Sequence, residues 1–546
     1  MNNEEVIAAT IKYINKEYYR GTVFCQGQGI HKLVAEVQSV LNKESDEVVI
    51  ESMSVSEDVA PAESETGHYT SGGVDEEKDT ELMDSGRYEV AEFASYLSDS
   101  DPKRQKLPWK VYPVIPDESN KREWDQYQQN YKTAQFGSER FEDVVLDFKP
   151  DVVFSYRDYW HDEWITRSPY RHMFDYCWST CVDSEPPKED WISTFSTVDK
   201  ISSYTDWGLN VIKNSSNGTV NMADFNTMPG VDLDLFQPRD KLVAREEFGL
   251  EKDAIIFLSV MRNQPRKLYP GIIRSFMAAV DELYKKGEKE KADKCYLYIH
   301  ASNTDVGYDL EKEVIKYGAS GRVLFTYVCD KCGLVYPSFS RCSLAHCPAC
   351  GAFSAHTTNT SSGPSREQLA RIYNCADAYI QAATAGALEI PIIEAKACGL
   401  PVIVSDYAAP YELNEMGGVF ARLPISGFIQ ESMRETGQFR AIIDTDKIKD
   451  HIIEFLSAPR EDIIALSKEA RRVAEENHST DLTAQKWMSI IDSLGGDLDP
   501  DRWTRKPKHL SIDTESIPKG MDDASIIRYA VDNFLPPKHQ LRGFVA

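Results

Sequence analysis

Short apolar runs alternate with helix-period segments along most of the chain, which predicts parallel β-sheets covered by helices. The first run, Gly21 to Cys25, leads into a glycine turn and a helical pattern. Further strands are expected at 48–50, 150–155, 198–204, 254–260, 296–300, 323–327, 378–381 and 401–405. Helices are expected at about 88–98, 271–285 and 365–374, with an extended segment at 109–114. The pattern therefore predicts an α/β protein.

The length of 546 residues allows two such sheets, each in its own domain. The join is expected near 235–250, which gives a first domain at 1–235 and a second at 236–500. Residues 54–87 are acidic and rich in Ser, Thr and Gly, so we predict a mobile surface loop there. The tail, 501–546, contains an amphipathic helix expected to pack back on the first domain.

Composition narrows the class of protein. Hydrophobic residues make up 42%, which supplies real cores and excludes a fibrous or disordered chain. The net charge of −26 disfavours extended nucleic-acid binding. No apolar run approaches the roughly 18–20 residues that span a bilayer, and no signal peptide is recognised at the N-terminus. The chain is therefore expected to be a cytoplasmic protein without a membrane span.

Four cysteines form the strongest local motif. Cys329, Cys332, Cys347 and Cys350 lie in two C-x-x-C-G knuckles. Two residues between thiolates let both sulfurs reach one ion, and the following glycine permits the tight turn. Four thiolates close a tetrahedral zinc site with no open position, so the zinc is expected to be structural and to fold an insertion at 328–358. Cys342 or His346 can replace a ligand, with poorer spacing.

A second motif covers residues 385–406, where a small-residue loop leads into a short helix that carries Glu394. Gly399 ends that helix, and a strand follows. The N-terminus of a helix beside such a loop offers free N–H groups to phosphate. A carboxylate one turn into the helix can accept both hydroxyls of a ribose, as acidic residues do in other nucleotide-binding α/β folds.

This block resembles the donor-site signature of the retaining GT-B glycosyltransferases of family 4 (glycosyl transferases group 1). Segments similar to three further motifs of that family follow in the family's order at 226–238, 259–267 and 371–380. The resemblance covers about residues 150–460. It implies a GT-B fold, in which two Rossmann-like domains face each other across a cleft, here with a zinc-ribbon insertion in the C-terminal domain.

The resemblance also implies roles for the donor-side residues. Arg262 and Lys267 would bind the donor diphosphate and stabilise the charge of the leaving nucleotide. Glu394 would hold the ribose hydroxyls, and backbone N–H groups around Leu388 and Ile390 would contact sugar and phosphate. The structural alternatives are a set of surface ion pairs for the two cations and a solvated helix face for Glu394.

One position departs from the family pattern. The family's first glutamate, which normally touches the transferred sugar, falls on Gly386 in this chain. Glu389 can substitute for it from inside the loop. The identity of the donor sugar is therefore left open.

Acceptor-side candidates lie in the first domain. Asp183 follows an apolar strand at the place where many relatives carry a catalytic-region His, and it can orient the sugar or accept the acceptor proton. Its alternative role is a helix cap. Asp158 and His161 are further cleft candidates, and Gly29 in the loop 26–31 is expected to approach the donor phosphate.

The resemblance implies transfer of a sugar from a UDP- or GDP-linked donor to an acceptor hydroxyl, with retention of anomeric configuration and without a catalytic divalent metal. The acceptor is left open among a glycan, a protein and a modified nucleobase. Zinc-containing relatives suggest a viral or phage-like protein that works in host cytoplasm. Two alternatives stand: a GT-B enzyme of another class, such as a nucleotide-sugar epimerase, and a catalytically impaired nucleotide-sugar-binding or zinc-ribbon docking protein.

Overall fold

The computed structural model describes residues 87–101, 110–303, 305–339, 344–359, 362–432, 436–496, 498–499, 501–504, 518 and 520–534. Several predicted features lie outside these residues: the strands at 21–25 and 48–50, the loop with Gly29, the acidic stretch 54–87 apart from Arg87, and Cys342.

The strands of the described residues, in chain order, are β1 (Ala91–Ser98), β2 (Lys110–Ile115), β3 (Val152–Arg157), β4 (Asp175–Thr180), β5 (Lys200–Ser203), β6 (Ile255–Val260), β7 (Cys295–His300), β8 (Val323–Cys329), β9 (Val335–Phe339), β10 (Leu344–His346), β11 (Phe353–Thr357), β12 (Ala378–Gln381), β13 (Val402–Ser405), β14 (Val419–Leu423), β15 (Ile425–Gln430) and β16 (Phe439–Ile443).

The α-helices of the same residues are α1 (Lys121–Gln129), α2 (Tyr131–Ala134), α3 (Phe141–Phe148), α4 (Tyr159–Asp162), α5 (Glu189–Phe195), α6 (Asp206–Ser216), α7 (Lys241–Glu247), α8 (Tyr269–Lys285), α9 (Lys289–Lys294), α10 (Leu310–Lys316), α11 (Arg366–Asn374), α12 (Ile390–Ala397), α13 (Ala409–Glu415), α14 (Lys447–Ser457), α15 (Arg460–Asn477), α16 (Thr480–Asp492) and α17 (Asp523–Phe534). Short 3-10 helices occur at Glu163–Arg167, Arg171–Met173, Pro265–Lys267 and Arg502–Thr504.

A nine-stranded sheet dominates the second half of the chain, with the order β10-β11-β8-β7-β6-β12-β13-β14 and with β9 paired to β8. The strands from β8 to β14 along this order are parallel, whereas β9 and β11 run antiparallel to β8. Both faces of the sheet are covered: Phe257 of β6 packs in one hydrophobic cluster, and its neighbours Ile256 and Leu258 pack in another. Two covered faces explain why these strands read as continuous apolar runs.

The first half of the chain contains a three-stranded parallel sheet, β3-β4-β5, and a separate parallel pair, β1-β2. Trp178 and Tyr176 of β4 are fully buried in the core of this half. The late helix α16 also packs against this half, because its Trp487 is buried in a separate hydrophobic cluster with Cys177 of β4 and Ala223. The chain therefore returns to the first sheet after it completes the second.

The two chain segments that cross between the halves run side by side. The Val231 N–H donates to the His478 carbonyl at 2.8 Å, and the Thr483 hydroxyl donates to the Met228 carbonyl at 2.8 Å. At Gly230 a Cβ would lie 2.4 Å from the Ser479 backbone. This close approach of backbones requires glycine at the crossing.

The α/β class and the strands predicted at 150–155, 198–204, 254–260, 296–300, 323–327, 378–381 and 401–405 are confirmed within a few residues, as are the helices at 271–285 and 365–374. The helix predicted at about 88–98 is wrong, because this segment forms β1 and pairs in parallel with β2. Val90, Ala94 and Leu97 have helical spacing, yet they pack together around Val111 of β2. Pairing with a distant strand outweighed the local spacing.

Throughout the described part of the chain, no helix combines the length and hydropathy that crossing a bilayer requires.

Candidate functional site

The donor loop, residues 382–389, connects β12 to α12. Pro391 occupies the second position of α12, and Gly399, with φ +73°, follows the helix at its C-terminus. Backbone contacts hold the loop on two sides: the Thr384 N–H donates to the Arg266 carbonyl at 2.9 Å, and the Ala409 N–H donates to the Gly386 carbonyl at 3.1 Å. The loop is thus attached to the turn that follows β6, the neighbouring strand of β12.

A buried ion pair lies beside this loop. The Lys267 ammonium donates to Oε1 of Glu389, and both side chains are 5% exposed. Oε2 of Glu389 accepts a hydrogen bond from the Gln381 amide at 2.5 Å. Burial, together with the charge of Arg266, lowers the pKa of Lys267 to about 8, although Glu389 acts in the opposite direction. The site therefore holds a lysine that is easier to deprotonate than an exposed one.

Gly386 and Glu389 share one small volume. A Cβ built on Gly386 would lie 2.3 Å from Oε1 of Glu389 and 3.0 Å from its Cγ and Cδ. The Glu389 carboxylate therefore occupies the space that a side chain at position 386 would enter.

Glu394 lies one turn into α12 and is 2% exposed. The Tyr373 hydroxyl donates to its Oε2 at 2.6 Å. Burial raises the pKa of Glu394 to about 7, against a smaller opposite effect of the Tyr373 hydrogen bond. The alternative of a solvated helix face is wrong for this residue.

Arg262 follows β6 and forms a two-point contact with Asp305. Its Nε lies 3.1 Å from Oδ2 and its Nη2 lies 2.9 Å from Oδ1 of the carboxylate. The Asp305 side chain is 2% exposed. Both cations predicted to bind diphosphate thus have carboxylate partners in this structure.

Asp183 follows β4 at the C-terminal edge of the first sheet. Its Oδ2 accepts a hydrogen bond from Nη1 of Arg440 at 2.6 Å. Ala441, which follows Arg440, donates its N–H to the Thr384 carbonyl at 2.9 Å, so the Asp183 carboxylate lies near the donor loop. Asp183 from the first half of the chain thus lies beside Arg440 and the donor loop from the second half.

The remaining predicted site residues make other contacts. Asp158 interacts with the partly buried Cys181 thiol. His161 packs on Phe136 with ring centroids 4.2 Å apart, and burial lowers its pKa to about 3. The Leu388 and Ile390 side chains are partly buried and pack against the same hydrophobic cluster as Ile256 and Leu258.

Sequence reasoning missed Arg266, Gln381 and Arg440. Arg266 and Gln381 adjoin predicted motifs. They could have been predicted, because the carboxyl ends of neighbouring parallel strands meet at one sheet edge. Arg440 carries no local signal for its contact with Asp183, because that residue is distant along the chain.

The four predicted cysteine ligands converge. Cys329, Cys332, Cys347 and Cys350 place their sulfurs within 4.8 Å of one another. The Cys329–Cys350 and Cys332–Cys347 sulfur distances are 3.7 and 3.6 Å. Four sulfurs about 2.3 Å from one zinc ion would stand roughly 3.8 Å apart, so the cluster fits tetrahedral zinc.

Backbone turns shape each knuckle. The Gly333 N–H donates to the Cys329 carbonyl at 2.8 Å, and the Gly351 N–H donates to the Cys347 carbonyl at 2.9 Å. Both glycines have positive φ, 70° and 68°. His346 is absent from the cluster, and one of its ring nitrogens lies 3.1 Å from the Gly351 carbonyl. Among the described residues, the four cysteines are thus a group that could hold a metal ion.

Comparison with protein families gives one match: residues 354–473 match the family described as glycosyl transferases group 1. This range includes the donor loop and α12.

Among curated proteins, the chain is similar to a D-inositol 3-phosphate glycosyltransferase of Mycobacteroides abscessus, with 27% identity over 179 residues. The match covers 32% of this chain and 30% of that relative, so the chain matches less than a third of the relative's length.

Among solved structures, the chain is similar to a glycosyltransferase from Rickettsia africae ESF-5, with a TM-score of 0.53, 11% identity and coverage of 78% of this chain and 96% of that one. It is also similar to Anabaena HepE in complex with UDP and glucose, with a TM-score of 0.50, 12% identity and the same coverage. The family match is confined to residues 354–473, and the similarity to these solved structures supports a GT-B glycosyltransferase fold.

Proposed function

We propose that this chain is a retaining glycosyltransferase of family 4 type that transfers a sugar from a nucleotide-sugar donor to an acceptor hydroxyl. The observation that carries the proposal is the arrangement beside the donor loop, where Glu389, paired with Lys267, directly precedes α12 and the buried Glu394 lies one turn inside it. The family match over this same segment supports it.

The donor diphosphate would lie against the N-terminus of α12 and the cations Arg262 and Lys267. Helix N–H groups and a buried ammonium stabilise negative charge strongly where water is excluded. In this proposal they neutralise the leaving nucleotide, so no catalytic divalent metal is required.

Glu389 would replace the carboxylate that the family carries at position 386. The support is steric, since Glu389 already fills the volume in front of Gly386. Glu394 would accept hydrogen bonds from the ribose hydroxyls after the Tyr373 hydroxyl gives up its hydrogen bond to Glu394 Oε2. Of the UDP- and GDP-linked donors, UDP-glucose is the first to test, because Anabaena HepE was solved with UDP and glucose.

Asp183 would face the acceptor and orient the sugar or accept the proton of the attacking hydroxyl. The acceptor itself is proposed only as a class: a glycan, a protein or a modified nucleobase. Same-face attack of its hydroxyl would retain the anomeric configuration.

The four cysteines would hold a structural zinc ion. Zinc would supply folding free energy to the ribbon at 328–358 and no chemistry, because four thiolates leave no position for water. The ribbon is continuous with the nine-stranded sheet, since β8 ends at Cys329 and pairs with β11.

The test combines donor binding with donor hydrolysis, using a panel of UDP- and GDP-sugars. We expect one donor to raise the unfolding temperature of the wild type and to be hydrolysed slowly. Glu394→Ala should weaken UDP binding about 30-fold, because hydrogen bonds to a charged carboxylate are lost. Tyr373→Phe, which removes the hydroxyl but keeps the carboxylate, is the matched control and should retain binding. A zinc-replete wild type that binds no nucleotide sugar would contradict the proposal.

One observation favours a second candidate, a nucleotide-sugar-binding protein without turnover. Arg262 and Lys267 are each neutralised by a carboxylate, which reduces the positive charge available to a diphosphate. Binding without hydrolysis or transfer would support this candidate. Product analysis also separates the epimerase alternative, which returns an isomeric donor or a free sugar and no new glycoside.

A further inference from the structure

A β-hairpin that the sequence pattern did not predict links the two halves of the molecule. It consists of β15 and β16, which pair in antiparallel orientation directly after β14. The Ala441 N–H donates to the Thr384 carbonyl of the donor loop at 2.9 Å. Two residues earlier, the Phe439 N–H donates to the Glu185 carbonyl of the first half at 3.0 Å. One strand of the hairpin therefore contacts both sides of the site.

Arg440 lies between these two backbone contacts and extends toward Asp183. Its Nη1 donates to Asp183 Oδ2 and to the Ser184 hydroxyl, each at 2.6 Å. Its Nε donates to Oε1 of Glu431 at 2.8 Å, and Nη2 lies 3.2 Å from Oε2. The side chain is 12% exposed. A planar guanidinium with contacts on three groups has a fixed orientation, which a lysine could not reproduce.

The geometry points to Arg440 as a positioning residue for Asp183: it holds this carboxylate at the donor loop so that the acceptor side and the donor side stay aligned. This role rests on the proposed function. The guanidinium engages Oδ2, so Oδ1 is not used by the ion pair and can face an acceptor hydroxyl.

Backbone hydrogen bonds of Thr384 connect the hairpin to the donor-side cations. Thr384, which receives the Ala441 N–H, itself donates to the Arg266 carbonyl beside Lys267. Asp183 is close enough to Lys267 for its charge to raise the pKa of that ammonium. A change at Arg440 is therefore expected to disturb the geometry of the reacting groups more than the affinity for the donor. The proposed nucleotide contacts come instead from residues that follow β6 and β12 of the nine-stranded sheet.

The test uses Arg440→Met and Arg440→Lys in the full chain, with UDP affinity measured by calorimetry and donor turnover measured separately. Arg440→Met should leave the UDP dissociation constant within about threefold of wild type, whereas kcat should fall about 100-fold, as expected when an interaction acts on the transition state alone. Arg440→Lys, which keeps the charge, should recover part of kcat. Arg274→Met, at an arginine whose partner Asp446 is exposed, is the matched control and should change neither quantity.

A double-mutant cycle distinguishes positioning from a purely structural role. Asp183→Asn should lower kcat by a similar factor, and the double variant with Arg440→Met should lose little more, because the two residues act as one unit. Additive losses, a parallel fall of affinity and unfolding temperature, or unchanged kcat in Arg440→Met would each overturn the role.

These outcomes are distinct from failure of the proposed function. A wild type that neither binds nor turns over any donor of the panel overturns the proposed function, and with it this role. A wild type that turns over a donor, while Arg440→Met retains its rate, overturns the role of Arg440 alone.

Discussion

The donor half of the candidate site comes from two segments of one sheet, whereas the acceptor half depends on a contact between residues 257 positions apart in the chain. Arg262 and Lys267 follow β6, and the donor loop follows β12, which pairs directly with β6. Asp183 follows β4 of a separate sheet and meets Arg440 only through the β15–β16 hairpin. Because β6 and β12 are adjacent parallel strands, the residues that follow them lie at the same sheet edge. The contact between Asp183 and Arg440, however, forms only when both halves of the chain are folded.

The two halves also differ in burial. Lys267 and Glu389 are each 5% exposed, whereas Asp183 is 29% exposed. Breaking a buried pair leaves an uncompensated charge, while a partly exposed carboxylate regains water. Changes on the donor side should therefore alter both stability and turnover, and changes on the acceptor side should alter turnover with little effect on stability.

The largest effect is expected from Lys267→Met. Loss of the ammonium leaves Glu389 buried beside one fewer cation, which should lower the free energy of unfolding by about 3 kcal/mol. Donor turnover should fall on the order of 1000-fold, because the leaving-group charge loses a stabilising cation. Denaturant unfolding and donor hydrolysis measure the two effects.

The control for that variant is the double substitution Lys267→Met with Glu389→Gln, which removes both charges. It should regain most of the stability and none of the turnover. Normal turnover in either variant would remove Lys267 from the proposed donor site.

Moving the carboxylate from position 389 to position 386 tests whether Glu389 replaces the family's glutamate on the donor side. Glu389→Ala should lower turnover about 100-fold, since a charge-assisted hydrogen bond to the sugar would be lost in a buried site. Adding Gly386→Glu to that variant should restore turnover to within roughly tenfold of wild type, because the volume in front of position 386 becomes free.

Gly386→Glu alone should instead be inactive and less stable, because its Cβ would meet Glu389 at 2.3 Å. Kinetics on the three variants and their unfolding temperatures provide the readout. If the relocated carboxylate restores nothing, Glu389 does not replace the family residue.

Zinc removal tests whether the ribbon contributes to either half. Chelation should lower the unfolding temperature, because metal binding supplies folding free energy to the four-thiolate cluster. Donor affinity, however, should change less than about twofold, since no position of the ion is open to a ligand. Metal analysis should find one zinc per chain, and a Cys332→Ser with Cys347→Ser variant should bind none.

The last prediction concerns the pH dependence of stability rather than turnover, and it compares the wild type with Glu394→Gln. Burial raises the pKa of Glu394 from its usual 4.5 to about 7 in the folded protein. Between these pH values the folded state binds more protons than the unfolded state, so stability should fall as pH rises. The loss should total on the order of 3 kcal/mol by pH 8.

In Glu394→Gln this contribution should be absent. Urea unfolding of both proteins from pH 4.5 to 8 isolates it, because other titrating groups are common to the two. Parallel stability curves for the two proteins would refute the raised pKa.

Local sequence patterns predicted most strands of the described residues, the helix that carries Glu394, and the convergence of the four cysteines. Each of these depends on neighbours a few positions apart: apolar runs covered on both faces, a glycine that ends a helix, and paired knuckles. The prediction at 88–98 failed for the opposite reason: Val90, Ala94 and Leu97 have helical spacing, but their segment forms β1, which pairs with a strand about 20 positions later.

The sequence by itself therefore determined the α/β class and the two paired cysteine knuckles, and it predicted the donor-side residues and the zinc ligands. Only the tertiary structure decided that Glu389 fills the volume beside Gly386, that Glu394 is buried against Tyr373, and that Arg440 reaches Asp183. The physical reason is that burial and ion pairing depend on which surfaces the folded sheets bring into contact, and contacts between distant segments leave no periodic signal in the chain.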